Sequence, residues 1–319
     1  MPPVLAILAA TFPFFALVAA GYAAARRGLL PPAAIPGLNA FVLYFALPCL
    51  LFRFGANTPI GQLLDGSAAG VYLSCGLAMV ALALAWLRRC GIGWNDAAFA
   101  ALVCAFPNTG FMGVPLVVAL LGAAAAGPVI LTMVVDMVVT SSLCIALSRL
   151  DGGGSPVRAL RRVLHGMLVN PMPWSIALGA TVSVLRLALP GPVARTVGLL
   201  ADAASPVALF TIGAVLARSQ MNSHERVPAR DYVPLALAKL LLHPLLVWAA
   251  GHATIAAGLP LSRFALHALV LAAALPAASN VSLLAERFGA HTGRVARIIL
   301  VSTVLAFFTF SAAVALLAG

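Results

Sequence analysis

Long apolar runs, parted by short polar gaps that carry most of the arginines, set the pattern of this chain. The runs lie near 4–25, 36–55, 67–87, 97–121, 128–148, 167–189, 196–217, 232–257, 264–285 and 295–317. Each approaches the roughly 20 residues a helix needs to cross the hydrocarbon of a bilayer. They are continuous, unlike the alternating segments of about ten residues that build a membrane barrel, so they predict helices and not strands. Ten such helices with their loops use up the 319 residues and leave no room for a soluble domain. No basic region precedes the first run, and Arg26 and Arg27 follow it. That order predicts an uncleaved first helix with its N-terminus outside.

Composition fixes the solvent. Hydrophobic residues make up 63% of the chain and charged residues 8%. A water-soluble surface needs about 25% charged residues, so most of this surface is expected to face lipid. The net charge of +11 would suit nucleic acid, but the placement of the arginines assigns it to topology instead. With loops numbered alternately, the odd-numbered ones hold Arg26, Arg27, Arg88, Arg89, Arg149, Arg158, Arg161, Arg162, Arg218, Arg226, Arg230, Arg287, Arg294 and Arg297. The even-numbered loops hold only Arg53, Arg186, Arg195 and Arg263. Cytoplasmic loops are enriched in Lys and Arg, so the odd loops are expected inside and both termini outside. The five cysteines, Cys49, Cys75, Cys90, Cys104 and Cys144, lack metal-ligand spacing. No disulfide, metal site or cofactor is expected.

The longest polar gap begins at Asp151 and divides the chain nearly in half. This gives a first five-helix repeat over 1–150, a cytoplasmic linker over 151–166 and a second repeat over 167–319. Five helices per half turn the second half upside down relative to the first, a common transporter design. Pro107 and Pro276 fall at corresponding places in the fourth helix of each half, and both precede asparagine and small polar residues. An interior proline removes a backbone hydrogen bond and clashes with the preceding turn. In lipid the freed groups must find partners or line a cavity, so matched breaks point to a binding site near the midplane. Pro48 and Pro206 in helices two and seven read more simply as kinks.

Two charges lie inside apolar runs, Asp136 and Lys239, with His243 one turn after Lys239 on the same helix face. Insertion of either charge costs about 2.5–3.5 kcal/mol, so each is expected to face protein or water. Asp136 would offset the positive half-helix ends and Lys239 the negative ones, or either would carry a proton or substrate charge. A buried Asp–Lys pair that only holds the bundle together is the plainer alternative, and His243 reads first as a packed, hydrogen-bonded residue.

Several motifs give the chain a recognisable character: Gly21-Tyr22 with Arg26-Arg27-Gly28, Gly37-Leu38-Asn39, Leu47-Pro48-Cys49, Phe106-Pro107-Asn108-Thr109-Gly110 through Pro115, Asn170-Pro171, Lys239 with His243-Pro244, and Leu275-Pro276 through Asn280. In their order and spacing they resemble the auxin efflux carrier family in its bacterial form, which includes malonate and malate permease-like members. The resemblance covers Phe12 to Leu317. It implies an all-α membrane fold of ten helices in two inverted repeats, with broken helices four and nine crossed, as in sodium/proton antiporters and bile-acid transporters. It implies a scaffold of helices one, two, six and seven that dimerises, and a moving transport domain of helices three to five and eight to ten. It further implies substrate bound at the crossing by Asn108, Thr109, Gly110, Ser279, Asn280 and Ser282, with Asn39 joining from the scaffold or else capping a helix. Plant members carry a long central loop that this chain lacks.

The expected function is therefore carriage of a small organic anion, such as malonate, malate or an auxin-like weak acid, across the plasma membrane by an elevator-type motion. Two readings stand beside it. One is a sodium- or proton-coupled carrier using Asp136. The other is an intramembrane enzyme or a receptor, for which the chain offers neither paired aspartates, nor a histidine-rich metal set, nor Gly-x-Ser-x-Gly.

Overall fold

The computed structural model describes residues 3–57, 65–150, 171–222 and 227–318. The expected linker over 151–166 lies outside the described residues. Helices occupy the apolar runs: α1 (Pro3–Arg26), α2 (Ile35–Phe41), α3 (Leu47–Asn57), α4 (Gly66–Arg89), α5 (Trp94–Ala105), α6 (Val114–Leu121), α7 (Ala126–Val135) and α8 (Ser141–Leu147). After the linker come α9 (Pro171–Val184), α10 (Gly191–Asn222), α11 (Val233–Leu237), α12 (His243–Ala256), α13 (Arg263–Ala274), α14 (Val281–Arg287) and α15 (Thr292–Ala318). No strand forms among the described residues, where the β-type pairing is one isolated antiparallel bridge.

Among the described residues, six continuous helical rods are long and apolar enough to cross a membrane: Pro32–Asn57, Gly66–Arg89, Ala123–Leu147, Gly191–Arg218, Ala229–Ala256 and Thr292–Leu317. The shorter apolar helices include Trp94–Ala105, Thr109–Leu121 and Arg263–Ala274, which flank the breaks at Pro107 and Pro276.

Several short helices join through wide π-turns, and proline explains three of them. The turns span Val42–Ala46, Thr109–Gly113 and Ala238–Leu242, and each leads into an X-Pro pair, Leu47-Pro48, Val114-Pro115 and His243-Pro244. A proline ring clashes with the carbonyl one turn back. An extra residue in the preceding turn relieves that clash and keeps the rod continuous. The amides before the prolines bond five residues back, Leu47 to Val42 and His243 to Ala238. A fourth π-turn, Asp136–Thr140, has no following proline, and its Asp136 carbonyl accepts from both the backbone and the hydroxyl of Ser141.

The helices pack in two groups. In the first, α1 lies along α10, and α3 lies along α9 and α10. Reciprocal glycines bring these backbones together. A Cβ on Gly21 of α1 would sit 2.7 Å from the carbonyl carbon of Phe210 in α10, and one on Gly213 of α10 would sit 2.6 Å from the amide nitrogen of Tyr22 in α1. The same exchange joins α3 and α9: Gly55 would meet Ile176 O at 2.6 Å and Gly179 would meet Ala56 N at 2.8 Å. Such backbone approach holds helices together where lipid offers no hydrophobic drive. The second group packs α4 against α5, α7 and α12, and α13 against α7, α12 and α15. Its centre is densely buried, with α5 inaccessible from Ala97 through Ala105 and α13 from Ala265 through Ala274 apart from the half-buried His267.

Candidate functional site

Both breaks begin where a proline dictates. The residue before a proline is pushed out of the helical region into extended backbone. Phe106 takes φ −94° and ψ 104°, which ends α5, and Leu275 takes φ −63° and ψ 155°, which ends α13. The two extended segments then lie against each other as the single antiparallel bridge, Pro107 with Ala277. Asn108 N donates to Pro276 O at 2.8 Å, and Ala278 N donates to Phe106 O at 2.9 Å. Each interruption thereby satisfies groups that the other has freed, as buried backbone requires.

Further partners complete the second break. Ala277 N donates to Ser302 Oγ of α15 at 3.1 Å. In an unbroken helix that amide would bond Ala273 O. Lys239 Nζ takes its place and donates to Ala273 O at 2.6 Å, with His243 Nδ1 at 3.4 Å on its other side. Lys239 and His243 are wholly buried.

Asp136, also wholly buried, is held by hydroxyls: Tyr72 donates to Oδ2 at 2.7 Å and Thr140 to Oδ1 at 3.1 Å. Tyr72 in turn packs on His243, ring centroids 5.7 Å apart. Among the described residues no ion pair joins Asp136 and Lys239. The two charges sit instead at either end of the Tyr72–His243 ring contact, Asp136 bonded by the Tyr72 hydroxyl, and Lys239 by His243 and the end of α13. Tyr72 and Ser302 are the members that sequence reasoning missed. Each is one hydroxyl in an apolar run, and no motif marks it.

A small cleft opens beside the bridge. Its lining brings together Asn39 and Leu43 from the first half of the Pro32–Asn57 rod, Phe111 from the first break, Val215 from α10, and Ser279, Asn280 and Ser282 from the second. Four of the seven substrate-site candidates thus share one cavity. Asn108 and Thr109 are buried and do not line it, and Gly110 packs near Met133. Thr109 Oγ1 and Asn280 Oδ1, both shielded from solvent, lack hydrogen-bond partners among the described residues. Buried polar groups are nearly always paired, so two unfilled oxygens at one crossing mark a place suited to a polar ligand. Among the described residues no cluster of His, Cys, Asp or Glu is arranged to hold a metal.

A helical membrane protein with paired helix breaks beside a polar cleft has the form of a transporter, and comparison with known proteins agrees. The family described as "Membrane transport protein" matches residues 6–314. A Rhizobium meliloti (strain 1021) protein named "Putative malonate transporter" is 30% identical over 304 residues, covering 93% of this chain and 91% of that protein. An "Uncharacterized transporter" of Methanothermobacter thermautotrophicus is 25% identical over 248 residues, 77% of this chain and 78% of its own. "Auxin efflux carrier component 3a" of Oryza sativa subsp. japonica is 32% identical over 124 residues, 36% of this chain and 19% of the rice protein. The chain belongs to this membrane transport protein family, the auxin efflux carriers.

Proposed function

We propose that this protein carries a small organic anion, malonate, malate or a related carboxylate, and binds it in the cleft beside the paired breaks. The observation that carries the reading is the convergence of Asn39, Ser279, Asn280 and Ser282 on one cavity next to the Pro107–Ala277 bridge. Amide and hydroxyl side chains supply hydrogen bonds to a carboxyl group, and Leu43, Phe111 and Val215 give its carbon chain an apolar wall.

In this reading ten helices form two inverted halves. The glycine-locked group of α1, α2–α3, α9 and α10 is the scaffold, and the remaining helices move against it as an elevator. The cleft lies between the groups, as alternating access requires. Asn39 lies near the start of its rod and Val215 near the end of its own, so the cleft sits toward the ends bearing Arg26, Arg27 and Arg218. By the arginine rule that side is cytoplasmic, both termini lie outside, and the state described faces inward.

A homodimer through the scaffold fits a further contact. Arg53 Nη1 pairs with Asp202 Oδ1 at 2.6 Å across α3 and α10, yet these side chains remain 37% and 70% exposed. Charges on a membrane-spanning face are costly against lipid, which favours cover by protein or water.

A thermal-shift panel of mono- and dicarboxylates on purified protein tests the substrate class. A true ligand at 100 times its Kd stabilises by about 2.7 kcal/mol. The expected result is a shift for malonate or a close relative that Asn280→Ala removes; no shift with any carboxylate would count against the reading.

A further inference from the structure

The charge state in which the substrate binds can be read from the same cleft, and it rests on that cleft being the carboxylate site. A fully ionised dicarboxylate only accepts hydrogen bonds, at both of its ends, so its site has to supply cations or several donors. This cleft supplies no charge: its polar wall is Asn39, Ser279, Asn280 and Ser282. Ser282 Oγ already donates to Ser279 O at 2.7 Å, so toward a ligand it accepts. Asn280 Oδ1 is an unfilled acceptor, and the Thr109 hydroxyl at the neighbouring break is unpartnered.

The titratable groups on the surrounding elements do not repair this. Tyr44, Cys49 and Arg53 lie on the Pro32–Asn57 rod, Arg195, Asp202 and Arg218 on α10, and Glu286 and Arg287 on α14; none of them lines the cleft. The buried charges are engaged elsewhere, Lys239 by Ala273 O and His243, and Asp136 by Tyr72 and Thr140.

We infer that the cleft takes a dicarboxylate in its singly protonated form, with the carboxylic acid end against Asn280, and that the proton crosses the membrane on the substrate. A carboxylic acid and a primary amide complement each other through two hydrogen bonds: the acid O–H donates to Oδ1, and Nδ2–H donates to the acid carbonyl. An ionised carboxylate makes only the second and sets a negative oxygen against Oδ1. Protonation also leaves one charge in place of two to be desolvated in a cleft without a cation. The proton is taken from solution on one side and released on the other by the substrate's own equilibrium, and no side chain titrates in the cycle.

The test is uptake of radiolabelled malonate and of fluoromalonate by proteoliposomes of the full chain, corrected for protein-free liposomes, across the pH range of both second ionisations. Fluoromalonate is nearly the size of malonate and a stronger acid. Each rate is expected to fall about tenfold per pH unit above that substrate's own second pKa. The fluoromalonate profile is then displaced to lower pH, and the two superimpose when plotted against the hydrogen-dicarboxylate concentration. Coincident pH profiles for the two acids, or rates that follow the dianion, would overturn the inference while leaving the carrier reading intact. Absence of protein-dependent flux for any carboxylate would overturn the carrier reading and this inference with it.

Discussion

Lys239 Nζ lies 2.6 Å from Ala273 O, the carbonyl whose helical partner is diverted when Ala277 N bonds Ser302. A lysine thus caps the C-terminal end of a half-helix inside the apolar core, where the helix dipole is negative. Lys239→Met keeps the apolar stem and removes the donor. It is expected to leave the carbonyl unpaired at a cost of about 1–3 kcal/mol. The check is the thermal unfolding midpoint in detergent, which should fall for Lys239→Met and also, by less, for Ser302→Ala.

Asp136 depends on two hydroxyls of unequal closeness, Tyr72 at 2.7 Å and Thr140 at 3.1 Å. Tyr72→Phe is expected to cost about 1.5–3 kcal/mol, the range for a hydrogen bond to a charged group. Since the two residues form one unit, Tyr72→Phe combined with Asp136→Leu should cost less than the sum of the single changes. A double-mutant cycle on unfolding midpoints measures that coupling.

The amides lining the cleft should matter to binding and little to folding. Asn280→Ala and Asn39→Ala are each expected to weaken carboxylate binding about tenfold, equal to some 1.4 kcal/mol, with unfolding midpoints nearly unchanged. Titration calorimetry of each variant against malonate separates affinity from stability. Ser302→Ala gives the opposite pattern, since it supports the break from behind.

Close helix approach gives a graded series. Gly213→Leu sets a side chain into the Val18–Tyr22 backbone of α1 and should prevent folding or cost several kcal/mol. Gly198 lies on the same helix with open space around it, so Gly198→Ala should be neutral or stabilising by about 0.4–1 kcal/mol. Yield of monodisperse protein in size-exclusion chromatography distinguishes the two.

Arg294 offers a test far from the cleft. It is 9% exposed and sits between Asp96, with Nη1–Oδ2 at 3.7 Å, and Asp231, with Nη2–Oδ2 at 3.8 Å. These contacts tie together the starts of α5 and α15 and the turn before α11. Removing one partner of a buried ion group typically costs about 3–5 kcal/mol, so Arg294→Ala should lower the unfolding midpoint more than the exposed Arg230→Ala.

Much of this was legible in the sequence, for physical reasons that differ by residue. Apolar length alone locates the helices, because lipid forces every backbone group into one. Pro107 and Pro276 are readable as breaks because X-Pro disfavours helical backbone at Phe106 and Leu275 and because each matches the other in its half and precedes asparagine and small polar residues. Asn39 stood evenly between cap and site, and only the fold shows that it shares a cavity with Ser279, Asn280 and Ser282. The pairing of one break with the other was not readable from spacing, since Asn108 N to Pro276 O spans more than 160 residues. Tyr72, the residue that links Asp136 to His243, was invisible as one aromatic in an apolar run. The lock between α1 and α10 rests on Gly21 and Gly213, and a glycine reveals its role only once the opposing backbone is in view.

The most direct measurement of the central claim is exchange of radiolabelled malonate by proteoliposomes loaded with unlabelled malonate, for the native chain, Asn280→Ala and Arg230→Ala. The expected result is protein-dependent exchange that Asn280→Ala reduces about tenfold through a raised KM and that Arg230→Ala leaves unchanged. Robust exchange with the same KM in native and Asn280→Ala protein would contradict binding in this cleft.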